Sequence, residues 1–146
     1  MSGNKYEISI NKTWDKFGEH LSGASDGLFC VLSEAELSEG AHNALLSTAK
    51  SLGYEQSVTF VALKNLDSSK AFELVEGLDP LCIVASNAQS AKTLAAAYRT
   101  EANLNAVCRL FGRTCVLFEN FESMLNTADS KQRAWALLKQ LPKPNN

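Results

Sequence analysis

The sequence predicts an α/β fold, a three-layer α/β/α sandwich around a mostly parallel four-stranded sheet. Three observations predict it. Four short apolar runs, "LFCVL", "SVTFVAL", "LCIVA" and "TCVLF", are continuous rather than alternating, as in strands covered on both faces. Segments with helical apolar spacing separate them, as in βαβ units whose crossovers put helices on both sides of a sheet. The 146 residues, 45% hydrophobic and 21% charged, suffice for one buried core. One domain over residues 1–146 is expected, with 1–25 an N-terminal helix and linker and 28–141 the core.

In chain order, Trp14, Phe17 and Leu21 are spaced as on a short helix, which "SGASDG" ends with two glycines. "LFCVL" is the first strand. Ala41, Ala44, Leu45, Thr48, Ala49 and Leu52 then form a helical stripe, with Gly53 placed as its C-terminal cap. "SVTFVAL" is the second strand. "DSSKAFELVEG" is the next helix, with Asp67 or Ser68 to cap it and Gly77 to stop it. Pro80 introduces the third strand, and Ala88, Ala91, Leu94, Ala95 and Tyr98 share one face of the helix that follows. "LNAVCRLF" is ambiguous between helix and strand. "GRTCVLF" is the fourth strand after a turn at Gly112. Some ten small and polar residues then separate it from a last helix, Lys131 to Gln140, whose apolar face is Ala134, Leu137, Leu138 and Leu141 with Trp135 at its edge. Connections of that length in compact domains are often functional.

Composition excludes several classes. No apolar run approaches a membrane span, and "MSGNKYEISINKTW" lacks the apolar core of a signal peptide, so a cytoplasmic protein without membrane association is expected. Cys30, Cys82, Cys108 and Cys115 lie within or beside apolar runs and never at CxxC spacing, which reads as buried reduced thiols; no metal and no cofactor is expected. Residues 1–73 carry 6 Lys/Arg against 10 Asp/Glu and residues 74–146 carry 8 against 6, so -4 and +2 compose the net charge of -2. Proteins that bind DNA through many phosphates usually show a stronger basic bias. Neither GxGxxG nor GxxxxGK[ST] is present, which removes the backbone cradles of dinucleotide binding and P-loop hydrolysis.

Ligands in open parallel sheets bind beyond the carboxyl ends of the strands. After the first strand come Glu34, Glu36 and Glu39, candidates for a general base or complements to a helix dipole. After the second comes Asn65, able to read a base edge or to shape a turn. After the third, Ser86 and Asn87 stand at a helix N-terminus, where they could hold a phosphate or cap the helix. After the fourth, Asn120 is the strong hydrogen-bonding amide of "ENFESMLNTADSK". His20 and His42 follow no strand directly and read as surface or capping residues.

Three segments resemble the uracil-DNA glycosylase superfamily, particularly its bacterial and archaeal branches. "LDPLCIVASNAQSAKTL" is similar to the family's Leu-x-Pro, apolar strand, two small or polar residues and Ala-rich helix. "TCVLFENFESMLNTADSKQRAWALLKQL" resembles its last strand, second-motif loop and final helix, with Lys131, Trp135 and Leu138 at the family spacing. "LFCVLSEAELSEG" stands in the place of the first motif, Gly-Glu-Ala-Pro-Gly. The resemblance runs from about Leu28 to Leu141. It implies a glycosylase-like fold in which Glu34 matches the water-directing carboxylate and Asn120 falls at the histidine that steadies the departing base. The flanking glycines and proline are replaced, Phe121 stands for the proline after the histidine, Asn65 lies late for the base-reading asparagine, and the branch's iron–sulfur cysteines have no counterpart. The resemblance therefore implies a domain with degenerate motifs, lacking glycosylase activity and acting as an interaction module for another protein in DNA repair or replication. The alternatives are a divergent glycosylase hydrolysing the N-glycosidic bond of a damaged base through Glu34 and Asn120, and a non-catalytic nucleic-acid binder using Asn65, Ser86, Asn87, Lys131 and Arg133.

Overall fold

A computed structural model describes residues 5–144, so the outermost residues of the expected 1–146 domain lie outside the described residues. The elements are α1 (Lys5–Phe17), β1 (Leu21–Gly23), β2 (Phe29–Ser33), α2 (Glu39–Leu52), β3 (Val58–Ala62), α3 (Ser68–Leu78), β4 (Cys82–Ala85), α4 (Ala88–Ala97), β5 (Ala106–Leu110), β6 (Arg113–Leu117), α5 (Phe121–Met124) and α6 (Ala128–Leu138). They form an α/β sandwich around one sheet of order β1-β3-β2-β4-β6-β5. The sheet is mixed and six-stranded rather than four-stranded. Its centre, β3-β2-β4-β6, is the expected parallel set, and β1 and β5 add antiparallel edges.

Strand alternation divides the core. On β2, Cys30 and Leu32 join residues of α1, α3 and α4, whereas Phe29 and Val31 join residues of α2, α5 and α6. On β4, Ile83 and Ala85 face the first group and Cys82 and Val84 the second. Each central strand is therefore buried on both sides, which is why it reads as an unbroken apolar run.

The edges had weaker signals. Leu21, expected on the first helix, begins β1, and Leu21–Gly23 pairs with Thr59–Val61. A 3₁₀ turn at Gly18–His20 redirects the chain between the two. The segment expected to be a linker is thus part of the sheet, and Phe17 is buried in its core. The ambiguous "LNAVCRLF" contains β5, joined to β6 by a two-residue turn at Phe111 and Gly112, both at positive φ (49° and 83°). Such turns match the right-handed twist of hairpin strands. As edge placement requires, Cys108 is only partly buried, unlike the other three cysteines.

Local capping chemistry sets the helices. Ser38, Asp67, Asn87, Asn120 and Thr127 each accept a backbone N–H of the first turn that would otherwise lack a partner. Gly53 caps α2 at φ 98° as expected. Gly77 does not stop α3, which continues to Leu78 and turns at Asp79 in the left-handed region. Its role is contact: a Cβ there would sit 1.9 Å from Thr13 Oγ1 on α1. The last helix also starts earlier than expected, at Ala128. The long connection before it contains the one-turn helix α5, because Phe121 is buried against Phe118 with ring centroids 5.1 Å apart. Among the described residues, no helix is long and apolar enough to cross a membrane.

Candidate functional site

The parallel strands place their reversal point between β2 and β4, because the chain leaves β2 for β3 on one side and crosses back to β4 on the other. A crevice at the carboxyl ends of such strands is the usual ligand position. Ser33 and Glu34 border it on the β2 side, and Ser86 and Asn87 on the β4 side. Asn120 follows β6, the next strand, and Asn87 and Asn120 form an isolated antiparallel bridge. Glu34, Ser86, Asn87 and Asn120 thus share one edge of the sheet, while exposed Asn65 sits beyond them in a turn at φ 70°.

Short-range bonds occupy this edge. Phe121 donates its N–H to the Ser86 carbonyl at 2.7 Å, and Ala88 donates to Glu119 at 2.8 Å, closing the space between β4 and β6. Leu63 and Lys64 donate to the carbonyls of Ser33 and Glu34 at 2.8 and 2.9 Å, extending the β2–β3 pairing past the strands. Ser33 Oγ donates to the Ala35 carbonyl at 2.6 Å. Asn87 Oδ1 accepts from Ser90 N at 2.9 Å while Ser90 Oγ accepts from Asn87 N at 3.3 Å, a reciprocal capping box. Asn120 Oδ1 likewise accepts from Ser123 N at 3.1 Å. The amides available to a phosphate or base therefore cap their own helices.

One group differs. Ser86 is 2% exposed and its hydroxyl has no hydrogen-bond partner among the described residues. Glu34 is half-buried and Asn120 exposed. They follow strands separated by β4, so their backbones stand roughly 10 Å apart, two strand spacings. Neither Glu34 nor Asn120 is among the residues lining the clefts between α3 and α4, beside β1, between α2 and α6, or on the outer face of α6.

Glu36 and Leu37 line a polar cleft of about 280 Å³ on the β1 side, with Glu19, His20 and His42. His20 Nδ1 lies 2.8 Å from the Ala62 carbonyl, and the His42 ring stacks on Phe60 with centroids 4.2 Å apart. Sequence reasoning missed this shared cleft because His20 is brought to it only by β1 docking on β3. No group of three or more His, Cys, Asp or Glu side chains among the described residues could hold a metal ion.

The expected basic pair is split. Lys131 lines an apolar groove of about 470 Å³ between α2, α5 and α6, together with Ala44, Phe121, Leu125 and Trp135. Arg133 lies beside Asp129, Gln132 and Ala136 on another face of α6, two residues away and so about 200° around the helix. The groove exists because α6 buries only Ala134 and Leu138, leaving Trp135 41% exposed at its rim. Trp135 and Leu138 were legible as a helix face, but the opposing wall, Gly40, Ala44 and Thr48, comes from α2 more than 80 residues earlier. No protein-family model matches this sequence, and no curated protein matches it significantly.

Proposed function

We propose that this chain is a divergent glycosylase-like domain that has exchanged base chemistry for protein docking, and that its α2–α5–α6 groove receives an apolar segment of another protein. The observation that carries this is the groove itself: about 470 Å³, apolar along its walls, with the half-exposed indole of Trp135 at the rim. Buried aromatic anchors dominate binding energy at protein interfaces. The surrounding α6 and C-terminal segment carry Lys131, Arg133, Lys139 and Lys143 against Asp129 alone, which favours a partner segment with acidic flanks. The segment that resembles the second glycosylase motif and its final helix builds two of the groove's three walls. The strand-end groups support the same reading, since Asn87 and Asn120 cap helices and backbone hydrogen bonds fill the space between β4 and β6.

The test uses the full chain with a photo-crosslinking residue at position 135, and at exposed position 92 as a control. The partner captured only through position 135 is identified, remade and titrated calorimetrically. Trp135→Ala is expected to weaken binding at least about 30-fold, the size of an interface anchor, while Glu34→Gln leaves it unchanged. Release of uracil from single- or double-stranded DNA at micromolar protein, abolished by Glu34→Gln, would overturn the proposal in favour of a divergent glycosylase. Salt-sensitive nucleic-acid binding lost in Lys131→Ala would overturn it in favour of a nucleic-acid binder.

A further inference from the structure

We propose that Cys108 and Cys115 form an oxidant-sensitive dithiol, closed by a small hydroperoxide to an intramolecular disulfide and reopened by a dithiol reductant. The two residues are direct partners in the β5–β6 hairpin. Directly opposed residues of an antiparallel pair project from the same face, and here both pack in the core layer of α1, α3 and α4. The two-residue turn makes Leu110 and Arg113 the first hydrogen-bonded pair, and such pairs alternate along the ladder. Cys108 and Cys115 are therefore again a hydrogen-bonded pair, with Cα atoms on the order of 5.5 Å apart, inside the range a disulfide spans.

Access and polarity assign the roles. Cys108, on the edge strand, is the one cysteine of the four that is not buried. Its thiol is drawn down to about 7, chiefly by the neighbouring Cys115, whose own thiol is pushed up and whose Sγ donates to the Arg113 carbonyl at 3.7 Å. Cys30 and Cys82 serve as internal controls. They face opposite core layers, and burial pushes both thiols up to about 12. The lowered value gives Cys108 a larger thiolate fraction at pH 7 than an ordinary cysteine at 9.0.

The chemistry balances. The Cys108 thiolate attacks one peroxide oxygen, the O–O bond breaks, and the released hydroxide takes a proton to become water, leaving Cys108 as a sulfenic acid. The Cys115 sulfur then attacks Cys108, forming the S–S bond as the S–O bond breaks, and hydroxide leaves with the Cys115 proton as a second water. Two electrons pass from the two sulfurs to the hydroperoxide. The product fastens the hairpin whose tip, Phe111, is 70% exposed and packs edge-on against Tyr98.

The full chain is treated with hydrogen peroxide, unfolded and alkylated, and its thiols are counted by intact mass and peptide mapping. Two of the four thiols are expected to be lost, within one peptide linking Cys108 to Cys115, and dithiothreitol restores them. Cys108→Ser, a change at the half-exposed edge, is expected to lose none. Cys115→Val is expected to halt at a sulfenic acid on Cys108 that dimedone traps. Four alkylatable thiols after peroxide, a disulfide-linked dimer, or loss at Cys30 or Cys82 instead would overturn the proposal.

Discussion

Replacing Gly77 by Ala sets two effects of opposite sign against each other. Gly77 lies inside α3, where Ala is favoured over Gly by about 1 kcal/mol. The new methyl, however, would sit 1.9 Å from Thr13 Oγ1 and 3.1 Å from Thr13 Cβ. Thr13 is poorly placed to yield, because it is 7% exposed and its hydroxyl donates to the Ser9 carbonyl at 2.8 Å. Either that bond breaks as the side chain rotates, or α1 moves away and the 3.0 Å bond from Ser9 Oγ to the Gly77 carbonyl is lost. Overpacking costs about 1–3 kcal/mol and the lost hydrogen bond about 1 kcal/mol. Contact therefore outweighs propensity, and Gly77→Ala is expected to destabilise by about 1–3 kcal/mol, lowering Tm by roughly 3–9 °C. The assay is a double-mutant cycle by scanning calorimetry with Thr13→Ala, which removes Oγ1 and Cγ2 and leaves Cβ 3.1 Å from the new methyl. In that background Gly77→Ala is expected to cost less by about 1 kcal/mol or more, since the closest contact is gone and helix propensity offsets the tight one that remains. A rise in Tm for Gly77→Ala alone, or the same change in both backgrounds, would refute the contact.

Further outcomes follow from the same structure. Ser86→Ala removes a buried hydroxyl that has no partner, so urea denaturation is expected to show a gain of about 1 kcal/mol, and a loss would mean that the hydroxyl is satisfied in solution. Asn87→Ala removes one arm of the α4 capping box and is expected to cost about 1 kcal/mol by the same measurement. Arg113→Met breaks the 2.7 and 2.6 Å ion pairs to Glu76 and Asp79. With those acids 34% and 59% exposed, the expected loss is about 2 kcal/mol rather than the larger cost of a fully buried pair. Because the Cys108 thiol is lowered to about 7, its thiolate is present above that pH and lost below it. Iodoacetamide labelling of Cys108 should therefore rise through about pH 7, and in Cys115→Val the rise should move toward the ordinary 9.0.

The central strands were legible because burial on both faces leaves a mark in one dimension, a run of four or five apolar residues. "LFCVL" and "LCIVA" needed no partner to be read. The edges left no such mark. Leu21 is one apolar residue before two exposed ones, and its strand exists only because Val61, Phe60 and Thr59 lie opposite it. Gly77 looked like a stop signal because glycine is common at helix ends. Its actual reason, the approach of Thr13, lies on another helix 64 residues away and has no local trace. The same limit applied to function: the polar residues at the strand ends could be located, but not whether they face a ligand or cap a helix.

The sequence by itself determined the α/β class, the four parallel strands, the helix cap at Gly53 and the place of the strand-end residues. Each of these follows from local periodicity or from one residue's backbone chemistry. Tertiary structure alone decided that Lys131 and Arg133 occupy different surfaces, that His20 and His42 share a cleft, that Trp135 stands over a groove walled by α2, and that Cys108 meets Cys115. Those are relations between side chains brought together by strand pairing and helix packing. Pairing partners are chosen by the fold of the whole chain, whereas a periodic run records only which face of its own element is covered.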